Sequence, residues 1–175
     1  MAWGFLTITL SLASFPCVQL AWPFLTDGWF EAFGSHSHVG PDAKAQDWLR
    51  SAHHGATRGE PVLAPMNGSI VQAEWSCSSY GKTAVIANAD YQVRIAHLEE
   101  ISVHVGEYAH RGETVLGLLG RTGPAPWCQA GILVAPGEAH LHISAMSVGQ
   151  PGPIRPLCIN WIEPNVRRAG GTRGK

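Results

Sequence analysis

His38 and Asp42 form the first pattern in this chain whose residue types and spacing could do chemistry. Three residues separate them, as H-x-x-x-D. Gly40 and Pro41 lie between them and disfavour a helix, so we expect a bent loop that can turn both side chains toward one point. Imidazole nitrogen and carboxylate oxygen are ligands that zinc accepts. The pair is therefore a candidate part of a metal site.

The second pattern, H-x-H, lies in a stretch that has the composition of a β-strand. Side chains at i and i+2 of a strand point to the same face, so His140 and His142 are expected side by side, with Leu141 and Ile143 toward the core. Two neighbouring imidazoles repel each other when both are charged, and a bound metal or a hydrogen bond between neutral rings relieves this. His97 lies near the end of another predicted strand.

The segments that must position these side chains are rich in strand and turn signals. Strands are predicted at 61–64, 68–73, 83–87, 91–98, 115–119 and 141–144. Tight turns are predicted at Asn67-Gly68, as a hairpin, and at 88–90. Apolar residues at helical spacing predict one short helix, and they are Ala45, Trp48, Leu49 and Ala52. The predicted fold is mainly β, an antiparallel sheet of barrel- or sandwich-like form with one short inserted helix.

Composition excludes several classes of protein. A length of 175 residues suits one domain. The chain has 12 Lys and Arg, 13 Asp and Glu and a formal net charge of −1, which gives no electrostatic basis for nucleic-acid binding. With 45% apolar residues the chain can build a core and is not a disordered one. The nine histidines are therefore the first side chains to consider for metal binding and proton transfer.

The N-terminal segment predicts export. No charged side chain occurs between Met1 and Thr26, and residues 2–15 have the apolar character of a secretory signal. An uncleaved membrane anchor and a buried N-terminal segment are the alternatives. We divide the chain into a signal or anchor (1–21), a leader (22–36), a domain (37–165) and a flexible basic tail (166–175). A periplasmic, extracellular or cell-envelope location follows, with membrane attachment only if the first segment is uncleaved.

The cysteines agree with an oxidising compartment. Cys17 lies in or beside the signal region, which leaves Cys77, Cys128 and Cys158 in the domain. A disulfide between two of these three is expected, and the spacing does not select the pair. No C-x-x-C occurs, so a thiolate zinc site is not predicted.

The histidine patterns, taken in order, resemble the LytM/lysostaphin-type zinc metallopeptidases of bacterial cell walls. H-x-x-x-D, A-H-L around His97 and H-x-H occur in the family's order. Supporting segments with glycine occur at 59–64, 68–71, 105–107, 111–117 and 120–123. The resemblance runs from about Ser37 to Ile162.

This resemblance implies a β-rich fold with one Zn²⁺ ion per chain, held by His38, Asp42 and His142. His97 and His140 would be the catalytic imidazoles, with their individual roles open. A set of three protein ligands leaves the fourth zinc position for water, as a catalytic site requires. The implied reaction is hydrolysis of peptide bonds in peptidoglycan stems or cross-bridges, with the oligomeric state undetermined.

Two other functions compete with this hypothesis. One is a non-catalytic relative that binds the cell wall or activates another wall hydrolase, although such relatives typically lack metal ligands and this chain lacks none. The other is a biotinyl- or lipoyl-type carrier, suggested by a Gly-Glu-x-Val-Leu echo at 59–63 and 112–116. Asn67 stands where a carrier needs its attachment lysine, which excludes that class. Segments 43–58 and 124–139 are longer than the family's usual links, and we expect them to reshape the walls of the site.

Overall fold

The computed structural model describes residues 17–33, 38–51, 57–128, 134, 137–148 and 154–162. The strands are, in chain order, β1 (Val18–Ala21), β2 (Trp29–Phe33), β3 (Gln46–Arg50), β4 (Pro61–Leu63), β5 (Gly68–Trp75), β6 (Lys82–Ala87), β7 (Tyr91–Ile101), β8 (Tyr108–Ala109), β9 (Val115–Leu119), β10 (Leu141–Ser147), β11 (Pro156–Leu157) and β12 (Ile159–Ile162). A single 3-10 turn, Gly40–Asp42, is the helical element of this part of the chain.

Ten of these strands form one antiparallel sheet, and the other two form a parallel pair. The main path of the sheet runs β2-β3-β10-β7-β6-β5-β8, with β11 on β10, β9 on β7 and β4 on β9. β1 pairs with β12 in parallel. The mainly β, antiparallel prediction is confirmed, and the described strands form an open path rather than a closed barrel. The site lies where β10 runs between β3 and β7.

Alternating apolar residues hold the centre of the sheet. Val93 and Ile95 of β7 are fully buried, and so are Leu141 and Ile143 of β10. All four belong to the same hydrophobic core. The prediction that Leu141 and Ile143 face the core is confirmed, and this orientation fixes the opposite face of β10 for His142.

The predicted helix is wrong, because Trp48 and Leu49 lie in strand β3, whereas Ala52 lies outside the described residues. Helical spacing of apolar residues exists in this segment, but pairing with β2 on one side and β10 on the other selects the extended form. Asp47 and Leu49 are buried on β3, and their neighbours are half-buried. Tertiary pairing therefore overrides the local pattern.

The predicted hairpin at Asn67-Gly68 is also wrong, whereas the turn at 88–90 joins β6 to β7 as predicted. β4 pairs with β9, and β5 pairs with β6 and β8. A Cβ at Gly68 would collide with the backbone of Ala87, so this glycine permits close approach of β5 to β6 rather than a turn. The two Gly-Glu-x-Val-Leu segments lead into β4 and β9, which are partners of one another.

Two disulfides join distant parts of the fold. Cys77 pairs with Cys128, and Cys17 pairs with Cys158. The prediction of a disulfide between two of the three domain cysteines is confirmed by Cys77–Cys128. The placement of Cys17 apart from the domain is wrong, because its bridge ties β1 to β12.

The folded part of the chain includes residues that we had assigned to the signal and leader segments. β1 and β2 lie within residues 17–33, and Leu20 of β1 is fully buried. Residues 1–16 and 166–175, which carry the rest of the predicted signal and the whole of the predicted tail, lie outside the described residues. Within the described ranges, no helix is long and apolar enough to cross a membrane.

Candidate active site

Strand β10 organises the candidate site. Its register sets His142 opposite Asp47 of β3 on one side and opposite Ala96 of β7 on the other. His97 follows Ala96 directly, and His140 precedes the first residue of β10. The pairing of β7 with β10 therefore brings His97 to His140 and His142, which lie more than 40 positions further along the chain.

The H-x-x-x-D segment forms the bent loop that its glycine and proline predict. Gly40 adopts a φ of +62°, a backbone conformation that residues other than glycine rarely adopt. Pro41 lies in the 3-10 turn Gly40–Asp42, and the carbonyl of Asp42 accepts a hydrogen bond from the backbone of Ala45. This turn delivers Asp42 to the same face of the sheet as His142.

All five residues predicted for the site lie in one cluster. The ring of His142 lies 5.0 Å from that of His38 and 5.8 Å from that of His97, measured between centroids. The rings of His97 and His140 are 4.7 Å apart. Asp42 Oδ1 lies 3.7 Å from His142 Nε2. The structure thus brings together residues spread over more than one hundred positions of the chain.

Asp47 is a sixth member of the cluster, which the sequence interpretation missed. Its Oδ1 lies 2.9 Å from Nδ1 of His142, and its Oδ2 lies 3.3 Å from Nε2 of His38. Among the described residues, His38, Asp47 and His142 are the group whose ligand atoms lie within 4.8 Å of one another and could hold a metal ion. Two carboxylates, Asp42 and Asp47, therefore flank His142 on opposite sides.

Asp42 is held by an aromatic hydroxyl and a guanidinium. The hydroxyl of Tyr80 donates to Oδ2 of Asp42, and Nη1 of Arg94 lies 3.8 Å from Oδ1. The Arg94 guanidinium also stacks 4.2 Å above the ring of Tyr80. Burial raises the pKa of Asp42, but the nearby His142 ring and the hydrogen bond from Tyr80 outweigh it and lower the pKa to about 2. Burial and the nearby carboxylate raise the pKa of Tyr80 to about 12.

Three buried side-chain atoms of the described residues lack a hydrogen-bond partner, namely Oδ1 of Asp42, Nε2 of His142 and Oγ of Ser144. The first two face each other at 3.7 Å in the cluster. Buried polar atoms are normally paired, because an unpaired one carries its full desolvation cost. Two zinc ligands in tetrahedral geometry are separated by about 3.3 Å, so this donor pair fits a bound divalent cation. Burial lowers the pKa of His142, but the carboxylates of Asp42 and Asp47 on its two sides outweigh it and raise that pKa.

His97 and His140 share one hydrogen-bonding pattern. Nδ1 of His97 lies 2.9 Å from the carbonyl of Thr122, and Nδ1 of His140 lies 2.7 Å from the carbonyl of Glu138. A carbonyl only accepts, so each Nδ1 carries a proton, and Nε2 is the ring nitrogen that is left for the site. Burial lowers the pKa of His97 to about 4, and His140 and His142 reinforce the shift. His97 is therefore a neutral imidazole at pH 7.

The backbone at His97 is specialised. His97 has a φ of +61° and is the non-glycine residue with a left-handed backbone among those described. It lies where the register between β6 and β7 shifts, and its N–H donates to the carbonyl of Tyr80. A bulge of this kind redirects one side chain out of the strand's regular alternation. It turns His97 toward His140.

Comparison with protein families identifies a relationship. The model of peptidase family M23 matches residues 50–153. The matched range contains His97, His140 and His142, whereas His38 and Asp42 precede it. No curated protein matches this chain.

Solved structures share the fold. Lysostaphin, an antimicrobial peptidase from Staphylococcus simulans, superposes with a TM-score of 0.51 at 24% identity, over 69% of this chain and 43% of that one. The catalytic domain of a prophage-encoded M23 protein, EnpA from Enterococcus faecalis, was solved as a mutant. It superposes with a TM-score of 0.52 at 16% identity, over 78% of this chain and 92% of that one. A putative glycyl-glycine endopeptidase lytM from Ruminococcus gnavus superposes with a TM-score of 0.51 at 16% identity, over 73% of this chain and 46% of that one. The chain spans less than half the length of the first and the third.

Proposed function

Because the chain belongs to peptidase family M23, we propose that it is a zinc-dependent endopeptidase that hydrolyses peptide bonds in the stems or cross-bridges of peptidoglycan. The observation that carries this proposal is the pair of unpartnered buried atoms on Asp42 and His142, beside two imidazoles whose Nδ1 atoms are held by backbone carbonyls. A cation-binding pair next to proton acceptors is the arrangement that hydrolysis of an amide requires.

In this proposal His38, Asp42 and His142 hold the ion, and His97 and His140 handle protons. Bound zinc would lower the pKa of a water molecule and polarise the scissile carbonyl. Nε2 of His97 or His140 accepts the proton of the attacking water and passes it to the leaving amine. The hydrogen bonds from Nδ1 to Thr122 and Glu138 hold both rings in the tautomer that this transfer needs.

The proposed substrate class and location rest on separate support. Lysostaphin is named as an antimicrobial peptidase and the Ruminococcus protein as a putative glycyl-glycine endopeptidase, which favours the peptide part of a bacterial wall. Two disulfides fit an exported protein, because they persist in oxidising compartments. We therefore place the protein in the cell envelope or outside the cell.

The test is metal analysis of the purified protein together with digestion of purified sacculi. We expect one zinc ion per chain and new muropeptide termini by mass spectrometry, both lost in His142→Ala. His140→Ala should keep zinc and lose hydrolysis. The exposed His104, whose side chain is 93% accessible, provides a matched control, and His104→Ala should change neither quantity. A wild-type protein that binds zinc but releases no muropeptides, or a His140→Ala variant with full activity, would contradict the proposed reaction.

A further inference from the structure

Trp127 is exposed although the turn that carries it is held firmly. Of the tryptophans that the structure describes, it is the exposed one, with 70% of its surface accessible. Tryptophan is usually buried over most of its surface. The turn is fixed, because Cys128 forms the disulfide to Cys77 and the N–H of Ala125 donates to the carbonyl of Ser76. The fold therefore presents a large apolar ring to solvent on a rigid support.

A second indole packs against this exposed ring. The ring centroids of Trp75 and Trp127 lie 5.6 Å apart, with an angle of 70° between the ring planes, which is a favourable edge-to-face arrangement. Nε1 of Trp75 donates to the carbonyl of Gly123 at 2.9 Å. We call Trp75 and Trp127 the indole pair.

The indole pair adjoins the candidate active site. The carbonyl of Gly123 accepts from Trp75, and the carbonyl of the preceding residue, Thr122, lies 2.9 Å from Nδ1 of His97. Consecutive residues are about 3.8 Å apart along the backbone, so the imidazole and the indole are anchored at neighbouring points of one segment. The indole pair is thus a wall of the site on the side of His97.

We propose that the indole pair binds a pyranose ring of the glycan strand to which the peptide substrate is attached. The apolar face of a sugar ring packs on an indole, whereas its hydroxyl groups need polar partners beside the ring. Ser76 and Ser78 have exposed hydroxyls 2.6 Å from each other, and Ser76 also bonds the turn that carries Trp127 through Ala125. This inference rests on the proposed function for the class of substrate.

The charges around the indole pair favour an uncharged occupant. The ammonium of Lys82 lies 5.0 Å from the ring centroid of Trp75 and donates to the carbonyl of Glu99, so a positive charge is already fixed beside the pair and repels a second cation. The face of an aromatic ring is negative, so a carboxylate gains nothing from packing on Trp127. A neutral ring with apolar C–H groups on one face satisfies both conditions.

The first experiment measures sugar binding alone. The protein as purified is titrated with the tetrasaccharide of N-acetylglucosamine, which is an uncharged analogue of the glycan strand and contains no peptide bond to cleave. Nitrogen–proton NMR follows the indole N–H groups, and the signal of Trp127 is the one that is absent in Trp127→Ala. We expect this signal to shift on titration. The Kd for the tetrasaccharide should rise about tenfold in Trp127→Ala and less than about threefold in Trp127→Phe, which keeps an aromatic ring.

Tyr108→Ala is the matched control. Tyr108 is also an exposed aromatic residue, with 54% of its surface accessible, and it lies on the short strand β8. Its removal should leave the Kd for the tetrasaccharide unchanged. The result would separate a built sugar site from general adhesion of sugars to exposed aromatic rings.

The second experiment compares hydrolysis of stem peptides that carry their sugar with hydrolysis of the same peptides after the sugar is removed. Trp127→Ala should raise KM about tenfold on the sugar-linked substrate, with kcat retained, because the contact holds the substrate away from the reacting bond. On the sugar-free peptides the variant should match the wild type. A variant with general damage to the fold would lose activity on both substrates.

Several results would overturn the inference. The tetrasaccharide could leave the Trp127 signal in place, Trp127→Ala could bind it as tightly as the wild type, or the sugar-free peptide could shift that signal instead. An equal loss of activity on both substrates would have the same meaning. Binding through Trp127 by a protein that hydrolyses neither substrate would support the sugar site and count against the proposed function.

Discussion

The two disulfides are predicted to have different roles, which removing them one at a time can distinguish. Cys17–Cys158 should stabilise the fold alone, whereas Cys77–Cys128 should also shape the candidate site. Cys17–Cys158 closes 141 residues and Cys77–Cys128 closes 51. The loop-entropy relation gives about 5 kcal/mol for the longer loop and about 4 kcal/mol for the shorter one. We therefore expect the double variant C17S/C158S to lose at least as much unfolding free energy as C77S/C128S.

Zinc affinity should follow the opposite order. Cys77 precedes Tyr80, which bonds Asp42, and Cys128 follows Thr122, which bonds His97. The Cys77–Cys128 bridge therefore clamps two walls of the cluster together. The partner strands of Cys17–Cys158, β1 and β12, lie in the separate two-stranded sheet. We expect about a tenfold loss of zinc affinity in C77S/C128S and little change in C17S/C158S.

The assay is urea unfolding of the metal-free variants at 10 °C, followed by zinc competition under conditions where both are folded by near-ultraviolet circular dichroism. Domain stability is usually about 5–15 kcal/mol, so both losses are measurable. Our reasoning is refuted if C17S/C158S loses more zinc affinity than C77S/C128S. It is also refuted if removal of the shorter bridge leaves zinc affinity unchanged.

Two further predictions concern the backbone and the pH response. Gly117→Ala should destabilise the protein by about 3 kcal/mol or more in urea melts, because the new Cβ would collide with the Glu100 carbonyl on β7. Gly106→Ala, which has open space but a φ of +93°, should cost only about 1 kcal/mol, and equal losses would contradict the steric explanation. The metal-free protein should lose about 3 kcal/mol from His97 as the pH falls from 6.5 to 4, because the unfolded chain takes up this proton near pH 6.5 and the folded chain resists until about pH 4. His142 acts in the opposite direction, since its pKa is raised. The contribution of His97 is therefore measured as the difference in unfolding free energy between the wild type and His97→Asn, because asparagine tolerates the left-handed backbone. Parallel curves of unfolding free energy against pH for the two proteins would exclude a contribution from His97.

Much of the candidate site is visible in the sequence because it depends on short spacings. H-x-H in a strand fixes the face that His140 and His142 share, and glycine and proline between His38 and Asp42 fix the bend. The separate patterns converge in the structure through the order of β3, β10 and β7. The order of these strands depends on pairing between distant segments, so short spacings do not predict it. Only the family resemblance indicated that the separate patterns would meet.

The parts that were missed depend on pairing between distant segments. Asp47 lies in a stretch with helical periodicity, and only its position between β2 and β10 makes it a strand residue that points at His142. Tyr80 and Arg94 reach Asp42 from the β5–β6 connection and from β7, and no short pattern links them. The apolar character around Leu20 suggested a signal segment, but in the structure it reflects burial of β1.

The position of β10 also sets the order in which the cluster can assemble. A chain that emerges from the ribosome or a membrane channel with its N-terminus first exposes β3 and β7 before residue 140 exists. The facing edges of these two strands then have open backbone groups that could pair with other chains. Insertion of β10 closes both edges and adds His142 in the same step. The nascent chain therefore lacks the complete cluster until its last central strand arrives, and fragments that stop before it combine an incomplete cluster with a tendency to aggregate.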